Sequence, residues 1–178
     1  MSEVTIERIR SLSEDDINGL AELLVDAVRS GASVSFMAGL QIDEAKAWWR
    51  KTLGSPSPRA VVLIARDKEG VVGTVQMQPA WAPNQPHRGD VTKLIVHRRG
   101  RRRGVARALM QELERFSIVE TITLLVLDTC RGTPAERLYT SLGWNRVGVV
   151  PNFALNPDGS SCDTVFFYKQ LGASVQRP

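Results

Sequence analysis

The sequence predicts an α/β domain built on a mixed sheet. Short apolar or alternating runs that read as strands interleave with segments whose apolar residues recur at helical spacing. A strand, a helix and a strand also follow one another directly from Asp90 to Asp128, which predicts a parallel, right-handed unit inside the sheet. The whole order is strand, two helices, three strands, helix, strand, helix, two strands.

Val4–Arg10 alternates enough for a strand. Ser13 can cap a helix whose first turn holds Glu14, Asp15 and Asp16, where acids complement the helix dipole. Ile17, Leu20, Leu23, Leu24 and Val28 continue it at helical spacing, and Gly31 ends it. Asp43–Leu53 is a second helix, stopped by Gly54 and Pro56. Arg59–Asp67 reads as a buried strand; Lys68-Glu69-Gly70 turns it back into Val71–Gln78. After a proline-bearing loop, Asp90–His97 is a strand, and Arg98–Arg103 leads into a helix over about Gly104–Phe116. Thr121–Asp128 is strongly apolar; Pro134 opens a helix ending near Gly143. Arg146–Val150 and Thr164–Lys169 are the last strands.

The chain has 178 residues, 43% hydrophobic and 24% charged, which suits one domain over 1–178 with its own core. No apolar run approaches the roughly 18 residues of a spanning helix, and Met1-Ser2-Glu3-Val4 does not resemble a secretory leader. A cytoplasmic protein with no membrane partner is the expectation. Cys130 and Cys162 are then expected as free thiols. His87 and His97 have no ligand cluster around them, so no metal is expected.

The net charge is +4, but Arg98, Arg99, Arg101, Arg102 and Arg103 supply five of the positive charges; without them the balance is −1. One concentrated basic segment points to one anion site rather than to a nucleic-acid-binding face. A solvated loop is the bland alternative for such a run. Its setting favours the anion. An apolar strand feeds a glycine-bearing loop that opens a helix, whose free N–H groups and dipole attract phosphate. Gly104 permits close backbone approach, and arginines add bidentate donors. Neither a Walker loop nor a dinucleotide-binding G-x-G-x-x-G is present.

Arg101-x-x-Gly104-x-Ala106, followed by Ala135-x-x-x-Tyr139-x-x-x-Gly143-Trp144, resembles the two hallmarks of the GCN5-related N-acetyltransferase superfamily. The resemblance implies a mixed, mostly antiparallel twisted sheet of about seven strands, with a splayed parallel central pair, flanked by about four helices. It implies acetyl-CoA as donor, CoA as product, and the primary amine of a small molecule as acceptor. A homodimer is a common state in this superfamily. The pantetheine arm would pair with backbone near Leu94 and Val96, and an N–H near Ile95 would receive the thioester oxygen. The loop of Arg101, Arg102, Arg103, Gly104, Val105, Ala106 and Arg107 would cradle the pyrophosphate, with Ala135 also at the cofactor.

Tyr139 matches the family's general acid. Asp128 ends its strand facing the acceptor. It reads as a general base or as an anchor for the cationic amine, because an ordinary aspartate titrates near 3.9. Phe36 and Met37 would form a substrate wall, and Asp90 would line the acceptor site or merely start its strand. Arg102 stands where glycine is common, and Gly132 where asparagine is frequent. A closer likeness, to a toxin-acetylating branch, is carried by Gly31–Met37, Lys93-Leu94, Leu127–Thr129, Arg146–Gly148, Pro157–Gly159 and Tyr168–Gly172. A catalytically silent acyl-CoA-binding module is the alternative reading.

Overall fold

Apolar side chains on both faces of one strand demand two covering layers, and β2 (Val61–Asp67) shows it. Val61, Leu63 and Ala65 enter one core cluster while Val62 and Ile64 enter another. The computed structural model describes residues 4–172. Its elements are β1 (Thr5–Arg8), α1 (Glu14–Arg29), α2 (Ile42–Leu53), β2, β3 (Gly70–Pro79), β4 (Arg88–Val96), α3 (Val105–Val119), β5 (Leu124–Cys130), α4 (Pro134–Ser141), β6 (Asn145–Leu155) and β7 (Ser161–Gln170). A short 3-10 turn, Arg98–Gly100, precedes α3.

The strands form one seven-stranded sheet in the order β1-β2-β3-β4-β5-β7-β6. Only β4 and β5 run parallel; every other pair is antiparallel. Helices α1 and α2 cover one face through Leu20, Leu24, Val28 and the fully buried Trp49, whose indole N–H donates to Leu20 O at 2.9 Å. Helix α3 covers the other face through Val105, Leu109, Met110 and Leu113, with Tyr139 of α4 beside them.

Local chemistry explains the helix ends. Ser13 accepts from Asp16 N while the Asp16 carboxylate accepts from Ser13 N, a reciprocal cap. That carboxylate also binds Arg66 of β2 and so ties α1 to the sheet. Burial would raise the Asp16 pKa, but the bonds from Ser13 and Arg66 hold it below the usual range.

Two irregularities shape the middle of the sheet. β4 pairs with β5 only through Arg88–Asp90 against Leu124–Val126, although both strands continue. From Val91 to Val96, β4 has no strand on that side, and the sheet splays into a cleft. On its other side β4 bulges: Thr74 faces Ile95 but Gln76 faces Thr92, so Lys93 and Leu94 oppose the single residue Val75.

The structure corrects one expectation about the chain's chemistry. Cys130 and Cys162 are not free thiols but are joined as a disulfide. β5 and β7 are antiparallel neighbours with Cys130 opposite Thr164, so Cys162 lies diagonally across the ladder. The Cα atoms are 6.0 Å apart, within disulfide reach. A separation of 32 residues conceals that neighbourhood in the sequence.

Candidate active site

The cleft between β4 and β5 ends at the loop that opens α3. Gly104 is the N-cap of α3, in the left-handed region at φ 79° with no side chain to cap. The backbone N–H groups of Gly104, Val105, Ala106 and Arg107 bond to nothing among the described residues; the first helical bond is Ala108 N to Gly104 O at 3.0 Å. Four unpaired donors at a helix N-terminus are suited to a phosphate. A Cβ built on Gly104 meets no atom within 4 Å, so that space stands open. Arg102 takes φ 62°, a conformation glycine adopts freely, which is the physical sense of a glycine being common there. Gly132 is likewise left-handed, at φ 78°, and its N–H donates to the Glu136 carboxylate at 2.8 Å.

The arginines divide their work. Arg98 binds Asp26 through its side chain and through its N–H at 3.1 Å. Arg99 and Arg103 both reach the buried carboxylate of Asp67, at 3.2 and 3.3 Å. Burial would raise the pKa of Asp26 and of Asp67, but the bonds from Arg98 and from Glu69 N and Arg99 hold both below the usual range. These three guanidiniums therefore fasten the loop to α1 and to the β2–β3 hairpin. The other two lie closer to an anion role. Arg101 donates to Ser30 Oγ at 2.7 Å from an exposed position, and exposed Arg102 has no partner among the described residues. Arg107 reaches Ser141 Oγ of α4 at 2.7 Å.

On the cleft's strands, Leu94 and Val96 are half-buried and pack towards the α3 layer, whereas Ile95 is buried towards α1. Ala135 is half-buried at the start of α4. Tyr139, one turn further on, is 5% exposed, and its ring leans on Trp144 and Phe167 at 5.8 Å each. Trp144 is held in turn by Glu114, its indole N–H donating at 3.0 Å. The Tyr139 hydroxyl has no protein partner among the described residues, and it is not sealed from solvent either. Burial first and the charge of Asp128 second push the phenol well above the usual tyrosine range. It stays protonated, as a proton donor must.

Asp128 lies near the end of β5, two residues past the last one paired with β4. It is exposed, but partial burial of the carboxyl still raises it above the ordinary range. The ammonium of Lys93 and a backbone bond within Asp128 oppose that shift. Asp90 faces Val126 across the parallel pair, so it shares the face of the sheet that carries Asp128. It pairs with Arg88 at 3.2 Å. Phe36 is half-buried edge-to-face against Trp48, with centroids 5.3 Å apart, while Met37 is 49% exposed. A cavity of about 560 Å³ lies beyond, between the end of α1, residues 38–41 and the β6–β7 loop. Asp90, Asp128, Tyr139, Phe36 and Met37 do not line it.

Two side chains near the β4 bulge have no site role in the sequence reading, where Lys93 enters only as part of a likeness. Lys93 reaches from the bulge to the α1–α2 segment. Gln76, 1% exposed, faces Thr92 and keeps an amide N–H without a hydrogen bond among the described residues. A lysine inside the largely apolar strand Val91–Val96, within the Lys93-Leu94 pair of that likeness, is a signal for the first.

The sequence profile of the acetyltransferase (GNAT) family matches residues 20–144, and the chain belongs to that family. A relative from Azospirillum brasilense, an uncharacterised N-acetyltransferase encoded between hisH and hisA, is 27% identical over 148 residues, covering 79% of this chain and 87% of its own. Two solved structures share the fold. An N-acetyltransferase from Staphylococcus aureus Mu50 superposes with a TM-score of 0.79 at 19% identity, over 96% of this chain and all of the other. The yncA protein of Salmonella typhimurium, solved with its cofactor acetyl-CoA, gives 0.75 at 21%, over 97% and 96%. The expected fold stands: seven strands, one splayed parallel pair and four helices. The protein is an acetyl-CoA-dependent N-acetyltransferase, and the open cradle at α3 fits that cofactor's phosphates.

Proposed function

We propose that this enzyme acetylates the primary amine of a small, amino-acid-like molecule by direct attack in a ternary complex. Acetyl-CoA supplies the activated acetyl group. The N–H groups of Gly104, Val105, Ala106 and Arg107, with Arg101 and Arg102 around them, would hold the pyrophosphate, while Arg103, expected there from the sequence, braces the loop through Asp67. Backbone at Leu94 and Val96 would align the pantetheine arm, with Ala135 on the α4 side, and the Ile95 region would stabilise the thioester oxygen. Asp128 would receive the cationic amine and orient it, and the amine would give up a proton, to Asp128 or to a relaying water, before its lone pair attacks the thioester carbon and the C–S bond breaks. Tyr139 would hand its proton to the departing thiolate. Phe36, Met37 and Asp90 would bound the acceptor.

One observation carries this reading. The charge of the β5 carboxylate Asp128 helps to raise the α4 phenol, and Asp128 lies just past the point where β5 leaves β4, which supports pairing a proton donor with an amine anchor at this cleft. The likeness of Gly31–Met37 and Pro157–Gly159 to the tabtoxin resistance acetyltransferase supports an antibiotic- or toxin-like acceptor. The chain would act as a single domain where acetyl-CoA is used, and the Cys130–Cys162 disulfide argues against the free-thiol state expected of a reducing cytoplasm. No helix among the described residues is long and apolar enough to cross a membrane.

The test is CoA thiol release with a panel of small α-amino acids and β-lactam amines. Acceptor-dependent release is expected. Tight acetyl-CoA binding without release from any amine would favour a silent acyl-CoA-binding module.

A further inference from the structure

Lys93 stands in the β4 bulge at φ 54°. Its ammonium donates to Val34 O at 3.1 Å and to Ser35 Oγ at 2.9 Å. It also lies 5.2 Å from the Trp48 ring centroid and 5.9 Å from that of Phe36. No carboxylate forms an ion pair with it among the described residues. Burial holds the ammonium below the usual lysine range, and the charge of Asp128 opposes that shift.

The segment it grips is tied on its far side as well. Ser33 Oγ donates to Leu155 O at 3.3 Å, and Ala38 N donates to Pro157 O at 2.8 Å. Residues 33–38 thus bridge the sheet and the β6–β7 loop, and Lys93 is the tie on the sheet side. Ser35 is itself left-handed, at φ 76°, so this segment has little conformational preference to keep it in place alone.

We propose that Lys93 is a positioning residue for the acceptor: it ties residues 34–36 to the β4 bulge, and so fixes the aromatic wall against which the amine is presented to Asp128. The inference rests on Asp128 being the acceptor side of the cleft. A neutral side chain of similar length cannot donate these bonds or fill the aromatic bracket with charge. A guanidinium can do both.

The experiment compares Lys93→Met and Lys93→Arg in the full chain. Hydrogen exchange is read by mass spectrometry over peptides spanning 31–41. Acetyl-CoA affinity and the steady-state constants are measured with the best-accepted amine of the panel. Lys93→Met should speed exchange in 31–41 by about tenfold or more, and Lys93→Arg should restore it. Lys93→Met should raise the acceptor KM about tenfold, with a smaller change in kcat and acetyl-CoA affinity within about twofold. Unchanged exchange in Lys93→Met overturns the proposal. So does faster exchange with an unmoved KM. The acceptor reading fails by a different sign: Asp128→Asn would then turn over like wild type, with exchange in 31–41 undisturbed.

Discussion

Replacing Tyr139 with phenylalanine removes one oxygen and leaves the packing in place. The ring is 5% exposed and touches Trp144 and Phe167, contacts that a phenylalanine ring keeps. The hydroxyl has no protein partner among the described residues, so its loss orphans no buried donor or acceptor. Stability should therefore change by no more than about 0.5 kcal/mol. The catalytic effect should be far larger. Burial and the Asp128 charge keep the phenol protonated, which suits the donor role proposed for it. Losing a general acid costs roughly 10²- to 10⁴-fold in rate, equivalent to about 3–5 kcal/mol of barrier. The assay is acceptor-dependent thiol release, paired with a melting curve and an acetyl-CoA titration. Melting temperature and cofactor affinity should match wild type while turnover collapses. Turnover within about twofold of wild type would refute the assignment of the proton donor.

Three further outcomes follow from particular contacts. The folded-state pKa of Asp128 lies above its unfolded value, so native protein binds that proton more tightly and its stability falls as pH rises between the two. Asp128→Asn should then melt higher than wild type at neutral pH, with the advantage shrinking towards pH ~4, while turnover is lost; an advantage that grows on acidification would contradict the sign. Asp67→Ala removes the buried carboxylate that Arg99 and Arg103 share, although Arg99 keeps the exposed Glu69 at 3.8 Å. It should cost about 2 kcal/mol, below the range for fully buried pairs because both guanidiniums are part-exposed, and should weaken acetyl-CoA binding through the slackened loop. Denaturant melts and titrations read both effects; full stability would mean the arginines do not brace the loop. Cys162→Ser should cost about 3–4 kcal/mol in non-reducing buffer, from the loop closed across 32 residues. It should cost far less under reductant, and two titratable thiols in unreduced, denatured wild type would remove the disulfide from the account.

Much of the fold was legible because the signals were local. The Ser13 cap with its acids, the apolar spacing of α1 and the buried run of β2 each lie within one element. β6 was underestimated at Arg146–Val150 because Pro151 interrupts it. Its exposed residues show no clean alternation, and a proline is tolerated there because β6 is an edge strand. The candidate site was legible where a motif is contiguous, as at Arg101–Ala106. It was not legible where partners come from afar. Nothing near the arginine run reveals that Asp26 and Asp67 claim three of its side chains. Likewise, Lys93 acquires its role from a bulge and from Val34 and Ser35, 59 and 58 residues away, and the disulfide depends on the β5–β7 register.

The most direct measurement is a calorimetric titration of acetyl-CoA into wild type and into Gly104→Asp. The variant should fold, since a Cβ at Gly104 meets no atom within 4 Å, at a cost of about 1–2 kcal/mol for its left-handed backbone. Wild type should bind one acetyl-CoA per chain, and the carboxylate placed in the cradle should weaken that binding at least about tenfold, or 1.4 kcal/mol. Equal affinity in a folded variant would mean that the α3 N-terminus does not hold the cofactor's phosphates, and the placement of acetyl-CoA in the β4–β5 cleft would fall with it.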